Sequence, residues 1–351
     1  LHHHLSREKL HVGAQRRQYG LSLIELMVSL LLSALVLLGL VVLFQQGKIS
    51  ALQDEQVARM QENGRYALRV LSRELAMMNY FGGMIDTDPD PLALDTGRLS
   101  EGADCNDDWM ISVELPLEFF DKDDETGNVD DPDYDCIDDH DVVDGTDGFA
   151  IKRVGDYAVR EYDADGALTA ASGDLTPGTA YFFTNGSVGA LYSADSAGDT
   201  CADCTVSVPQ FSSNVRQYQP QIFYVRPDSA GEDGIPTLVR ETLQGDDMRA
   251  EVLVEGVEDM QIEWGVDGAD DDLAPDHYTA DPDNAELADA ATARIFLLVR
   301  GIRPVTGYVN DKTYKLGRKT VAARNDAFYR RVYSMTVQLR NSEKLQMSSP
   351  D

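Results

Sequence analysis

The chain has 351 residues and a formal net charge of −31, from 61 acidic against 30 basic side chains. Its length allows a sizeable core and one or two domains. So acidic a surface excludes direct nucleic-acid binding, which needs a basic footprint, and it suits a soluble extracytoplasmic domain.

The histidines at 2–4 read as a short tag or chance and are set aside. The first element is the stretch from Gln15 to Phe44. Arg16 and Arg17 stand before Gly20, and the apolar run beyond it is broken only by Glu25. From Leu26 to Phe44 there are 19 residues without a charge, close to the ~20 that a helix needs to cross about 30 Å of hydrocarbon. The basic flank stays cytoplasmic, which places the rest of the chain across the membrane. A secretory signal ends in a small-residue cleavage site after its apolar core; here the small residue, Gly20, precedes it. A carboxylate at membrane depth costs about 3 kcal/mol or more. Glu25 is therefore paired or functional, the alternative being solvation at headgroup level.

The helical pattern continues to Tyr80 without a proline. Val57, Met60, Tyr66, Leu68, Val70, Leu71, Leu75 and Met78 keep much of one face apolar. Asn63-Gly64 is the weak point, at about 1 kcal/mol, and Gly82-Gly83 is the expected stop. The pattern predicts one helix over 21–80, about 90 Å long at 1.5 Å per residue. No compact domain buries such a rod alone. Residues 21–44 belong in membrane or in a bundle of like helices, and 45–80 are expected to pack on the domain formed by 81–351.

From Asp86 onward, Asp-, Gly- and Pro-rich loops separate β-prone runs at Trp109–Leu115, Phe149–Val154, Tyr157–Tyr162, Ala180–Thr184, Gln221–Val225 and Thr237–Thr242. In Val332–Leu339 the alternation puts Tyr333, Met335, Val337 and Leu339 on one face. Ile295–Val299 is apolar throughout, as in a strand covered on both sides. The fold class expected is α+β: a long N-terminal helix whose C-terminal half packs on an antiparallel sheet.

The four cysteines, Cys105, Cys136, Cys201 and Cys204, allow three pairings, and the sequence does not choose among them. Export favours disulfides. A redox CxxC at Cys201 and Cys204 lacks a βαβ context, and zinc would need all four thiolates brought together across a long gap. Acidic clusters at 121–135, 161–166 and 267–276 offer the alternating oxygens that wrap Ca²⁺, or simply stay solvated by mutual repulsion. The first cluster has its glycine one place late, and the second has Ser172 where a closing glutamate belongs. For catalysis, the histidines beyond the first 20 residues are His140 and His277, each in an acidic loop, and no HExxH, GxSxG or phosphate-loop motif is present. The reading is not an enzyme.

Gly20, Leu21, Glu25 and the uncharged run resemble the prepilin signature of type IV pilins and type II secretion pseudopilins. That resemblance implies cleavage after Gly20 by a prepilin peptidase, leaving residues 1–20 as the leader, and N-methylation of Leu21, where the family usually has Phe. It gives Glu25, the fifth residue of the mature chain, the amine of a neighbouring subunit as partner. QIFYVRPDSAGEDGIPTLVRETL at 221–243, VEDMQIEWGVD at 257–267, ARIFLLVRG at 293–301 and RRVYSMTVQLRN at 330–341 together resemble PilW-type minor pilins. What that implies is a pilin-like fold and a subunit held in the inner membrane, with its head in the periplasm, until it enters an extracellular pilus. Its partners would be other minor pilins, the major pilin, the inner-membrane assembly platform and a tip adhesin, and its task would be priming assembly. No cofactor is required. In relatives the Asp-rich turn reads as a DxDxDG calcium loop. Here Ala269 and Asp272 break that pattern, leaving Asp267, Asp271 and Asp276 as the candidate calcium ligands. The alternative function is a J-type pseudopilin capping a type II secretion pseudopilus.

Overall fold

A computed structural model describes residues 20, 22–84, 92–95, 105, 116–122, 134, 136–137, 141–165, 167–171, 175–187, 189–193, 212–245, 247–268 and 274–341. The expected strand at Trp109–Leu115 lies outside them. The chain divides into two compact units, residues 1–54 and 55–351. Helix α1 (Leu23–Met77) runs through both. With no proline in its 55 residues, nothing interrupts its hydrogen-bond ladder. It ends a little before the glycine pair the sequence marks as its stop. Asn79 takes the left-handed conformation (φ 57°), and its N–H donates to the Lys152 carbonyl at 3.0 Å.

In the second unit the chain forms β1 (Leu92–Asp95), β2 (Leu117–Asp121), β3 (Asp147–Val154), β4 (Arg160–Tyr162), β5 (Leu168–Ala171), β6 (Ala180–Thr184) and β7 (Gly189–Ser193). There follow β8 (Ser213–Arg226), β9 (Thr237–Gln244), β10 (Asp247–Glu255), β11 (Val257–Val266) and β12 (His277–Thr279). A short helix α2 (Asn284–Ala288) precedes β13 (Ala290–Arg300), β14 (Tyr314–Leu316), β15 (Lys319–Val321) and β16 (Arg330–Gln338).

These strands make a ten-stranded sheet with the central path β1-β7-β6-β8-β3-β2, a four-stranded sheet β12-β11-β13-β16, and the hairpin β14-β15. Among the described strands the pairs are antiparallel, as expected, with β1 and β7 the parallel exception. The long strand β8 carries the larger sheet. Its first half pairs with β4 and β6, and its second half with β3 and β9. Pairing with β6 stops at Gln217 and pairing with β9 starts at Gln221. Pro220 sits in that gap, where no ladder N–H is demanded of it.

The main core lies under the C-terminal part of α1. Met60, Ala67, Leu68, Leu71, Leu75 and Met78 recur at helical spacing and meet Phe149, Ile151, Phe223, Met260, Ile262, Trp264, Ile295 and Leu297. Leu71 and Leu75 are fully buried, each worth about 2 kcal/mol in transfer free energy. Tyr66, expected on this face, lies exposed, because the buried stripe passes through Gly64 and Ala67 on either side of it. Gly64 is a notch for Tyr333: a Cβ there would stand 2.6 Å from that ring. Next to it, Asn63 Nδ2 donates to the Glu255 carbonyl at 2.9 Å. Ile295–Val299 is covered on both sides. Ile295, Leu297 and Val299 join the main core, while Leu298 meets Leu316 and Val321 of the β14-β15 hairpin. Val337 on β16 and Leu339 just beyond it are buried but Met335 is exposed, at the outer edge of this sheet.

Polar contacts tie the two sheets together. Asp147 on β3 accepts from the Ile262 N–H of β11 at 2.6 Å, and Gln261 donates to the Gly145 carbonyl at 2.9 Å. Burial pushes the Asp147 carboxyl well above its ordinary value of 3.8, and nearby Asp121 and Asp259 add to that shift, against the backbone bond and Lys319. A group raised in the fold contributes stability that is complete below 3.8 and is lost as pH climbs through its folded value.

Two outcomes follow for thermal denaturation of the full chain. Gly64→Ala lowers Tm, although alanine returns about 1 kcal/mol of helix propensity, and the penalty vanishes in a Tyr333→Ala background; a higher Tm for the single variant would contradict the close approach. Asp147→Asn, which cannot ionise, melts above wild type at pH 7.5, with the gap closing toward pH 4. A variant that melts below wild type at pH 7.5 would refute the buried-carboxylate account.

Candidate functional site

Between Leu23 and Phe44, α1 carries one acid in an otherwise uncharged, apolar rod. Gly20 is exposed and has open space around it; Leu21 lies outside the described residues. Glu25 is in the first turn of α1, where a carboxylate is favoured by the positive end of the helix dipole. Leu23, Ile24 and Leu26 through Phe44 present large apolar side chains at 47–77% exposure. None of this apolar run is buried. A helix that is apolar all round belongs in lipid or among like helices.

The polar groups inside this rod are handled locally. Ser29 Oγ donates to the Glu25 carbonyl and Ser33 Oγ to the Ser29 carbonyl, each at 2.7 Å. That back-bonding removes two hydroxyls that would be costly to leave unpaired in hydrocarbon. Glu25, Ser29 and Ser33 form a stripe at intervals of four, a signal visible in the sequence. At the far end of the run, Lys48 Nζ lies 5.3 Å from the centre of the Phe44 ring, as expected of a cation that reaches for the interface.

The head holds the other end of the helix by its carbonyls. Asn341 Nδ2 donates to the Ala76 and Met78 carbonyls at 3.3 and 3.1 Å. In return, Asn79 Nδ2 donates to the Asn341 carbonyl at 3.0 Å. These bonds meet acceptors that any helix C-terminus leaves open. Arg153 supports the same turn from β3, reaching Glu74 at 2.6 Å with both side chains only 5% exposed. Arg330 opens β16 and binds Glu258 (2.5 and 2.9 Å) and Asp326 (2.6 and 2.7 Å) in a fork. Burial works against the Arg330 charge, but the bonds from Asp326 and Glu258 outweigh it and hold its proton more firmly than usual. Breaking one partner of such a buried set costs several kcal/mol.

The remaining candidates separate. Cys105 is bonded to Cys136, and both pack in a cluster with Phe120, Tyr134, Ile222 and Tyr224; Cys201 and Cys204 lie outside the described residues. The zinc reading that needed four thiolates fails, because two of them are joined. In the third acidic turn Asp276 Oδ2 accepts from the Gly268 N–H at 3.0 Å, Asp267 is fully buried, and Asp271 lies outside the described residues. Asp276 thus serves the turn itself. In the second acidic cluster, Asp163 Oδ1 accepts from the N–H groups of Asp165 and Ala167, an Asx-type turn. No group of three metal-ligating side chains occurs among the described residues. His277 lies 3.2 Å from Glu286, and Glu286 also completes the capping box of α2 with Asp283.

A family model described as Type IV Pilus-assembly protein W matches residues 222–341, beginning in β8 and ending on the capping Asn341. A second, the Prokaryotic N-terminal methylation motif, matches residues 15–41. No curated protein matches. Among solved structures the chain is similar to a type IV-like pilin from Thermus thermophilus, at 11% identity, over 81% of this chain and 96% of that one, with a TM-score of 0.36.

The hydrogen bonds inside the acidic turn predict its behaviour with metal. Saturating Ca²⁺ shifts the Tm of the full chain by no more than about 2 °C relative to chelator, since a ligand that binds only the folded state must raise Tm. A larger rise that Asp271→Ala removes would make the turn a calcium site.

Proposed function

Because the chain is a minor pilin of a type IV pilus, of the PilW family, we propose that it primes filament assembly and takes its place in the tip complex. A prepilin begins in the inner membrane and ends in the pilus, and it meets the peptidase and other pilus components on the way. The specific partners we infer are the other minor pilins, the major pilin, the inner-membrane assembly platform and a tip adhesin. The family is one of structural pilins, and this chain is proposed to act by packing and not by catalysis, with no cofactor required.

The observation that carries this reading is the uncovered rod from Leu23 to Phe44, whose large apolar side chains are all exposed and whose one charge is Glu25. Cleavage after Gly20 would free the amine of Leu21. On extraction from lipid, the rod exchanges hydrocarbon for the stems of neighbouring subunits, so its apolar surface stays out of water throughout. Glu25 cannot be matched by lipid. A neighbour's N-terminal amine would neutralise it, and the geometry of that pair would set the axial step between subunits. The head, held to α1 through Asn341 and the Glu74–Arg153 pair, would supply the lateral contacts.

Processing and assembly test this separately. Gly20→Ala leaves an uncut precursor in the membrane, seen as a heavier band on a denaturing gel; normal processing would remove the leader assignment. Glu25→Ala inserts normally and is cut, but its incorporation into sheared filaments falls at least tenfold. Wild-type incorporation of that variant would refute the pairing.

A further inference from the structure

Strand β16 closes the four-stranded sheet, and among the described residues nothing pairs with its second edge. Its register with β13 runs without a shift from Thr292–Gln338 to Arg300–Arg330. In the same phase, the Leu339 N–H donates to the Ala291 carbonyl at 2.9 Å. Residues that bond inward alternate along an antiparallel pair with those that do not. Arg331, Tyr333, Met335 and Val337 therefore bond toward β13. The N–H and C=O groups of Val332, Ser334, Thr336 and Gln338 point out of the sheet.

Other edge strands of the two main sheets are guarded. β10 has a register shift between Val252 and Val254 and carries Asp247, Arg249, Glu251 and Glu255. β2 carries Glu118 and Asp121. β1, β5 and β12 are four residues long or shorter. Bulges, charges and shortness are the usual means of keeping an edge from pairing. β16 uses none of them between Val332 and Gln338, a run with no charge, proline or glycine and a regular ladder. Ser334, Met335, Thr336 and Gln338 are exposed.

The surroundings of this edge are basic. Helix α1 runs beside β16 in the same direction, with Gly64 against Tyr333 and the Ala76 and Met78 carbonyls bonded by Asn341. Burial raises the Tyr333 hydroxyl above its ordinary value, and the charges of Arg331 and Arg65 oppose that rise, so both guanidiniums lie near the ring. Arg69 stands one turn beyond Arg65 on the same helix face, and Arg340 follows the far end of the strand. All four arginines are exposed, and among the described residues none of them is in an ion pair. Glu62 is the one acid on the helix between Gln61 and Ser72. A chain of net charge −31 thus keeps unanswered positive charge around an unguarded edge.

Charge also chooses the occupant. Two copies joined through β16 would set arginine against arginine at the strand ends, whichever way the strands ran, and like charges placed opposite each other weaken a pair. An acid-flanked segment is drawn to both ends. We propose that the free edge of β16 takes an extended segment of a partner protein as an added strand. The centre of that segment is uncharged and lies along Val332–Gln338, and its acidic flanks meet Arg65, Arg69, Arg331 and Arg340. Main-chain bonds to Val332, Ser334, Thr336 and Gln338 hold it, and Met335, 41% exposed, gives it an apolar contact. This surface is separate from the Leu23–Phe44 stem, so it stands whether or not Glu25 pairs with an amine.

The test uses the full chain in a neutral detergent and two short capped peptides. Both have alternating valine and threonine at the centre; one is flanked by aspartates, the other by lysines. The aspartate peptide binds saturably and about tenfold or more tightly than the lysine peptide, a gap that narrows with salt. On binding, hydrogen exchange read at single residues slows at Val332, Ser334, Thr336 and Gln338. Ser334→Pro and Thr336→Pro each remove an outward N–H that the fold does not use; each abolishes binding of the peptide at an unchanged Tm. Arg331→Glu combined with Arg340→Glu reverses the order of the two peptides. The proposal is overturned if neither peptide binds saturably, if the lysine peptide binds as well, or if exchange slows only elsewhere. A dimer of the full chain that Thr336→Pro separates would make a second copy the occupant and overturn it too.

Discussion

The rest of the structure depends on an apolar rod that its own chain leaves uncovered. From Leu23 to Phe44 the helix shows hydrocarbon on every side. Its serines bond back to carbonyls one turn earlier, so the surface is dry apart from Glu25. At about 25 cal/mol per Å² of apolar surface, exposing such a rod to water is far more costly than the few kcal/mol by which a domain is stable. It must be covered by lipid or by like helices. A subunit that passes between those two environments keeps this term nearly constant, and the difference between them then rests on the one group they treat differently. On the proposed pairing, that single carboxylate decides whether a stem is retained in the membrane or docks against its neighbours.

The second unit meets a different demand, which is to hold a helix firmly by its last turns. It does so with three unlike devices. The Gly64 notch admits Tyr333, so helix and strand approach closely. Glu74 and Arg153 place an ion pair inside the contact, where removing either partner would leave a buried, uncompensated charge. Asn341 caps the terminal carbonyls from the end of the last strand. The segment matched as a PilW module closes on that asparagine, so its final residue is also the one that fastens the sheet to the helix.

Local chemistry made part of this legible in the sequence. A long proline-free pattern, an uncharged run behind Arg16 and Arg17, and an all-apolar strand at Ile295–Val299 each follow from one dominant constraint. Contacts between distant residues did not show. Glu74 and Arg153 stand 79 positions apart, and nothing near either one predicts the other. Gly64 reads as a defect by propensity, because its value lies in a tyrosine from the far end of the chain. Tyr66 and Met335 fit a periodic pattern but face outward, since the covered stripe is narrower than hydropathy suggests.

The most direct measurement is deletion of this gene in its host, with surface filaments counted by electron microscopy and exported proteins assayed in the same cultures. The account predicts that filaments disappear while secretion stays normal, and that the wild-type gene restores them. Normal filaments with lost secretion would contradict it and make the chain a subunit of a secretion pseudopilus.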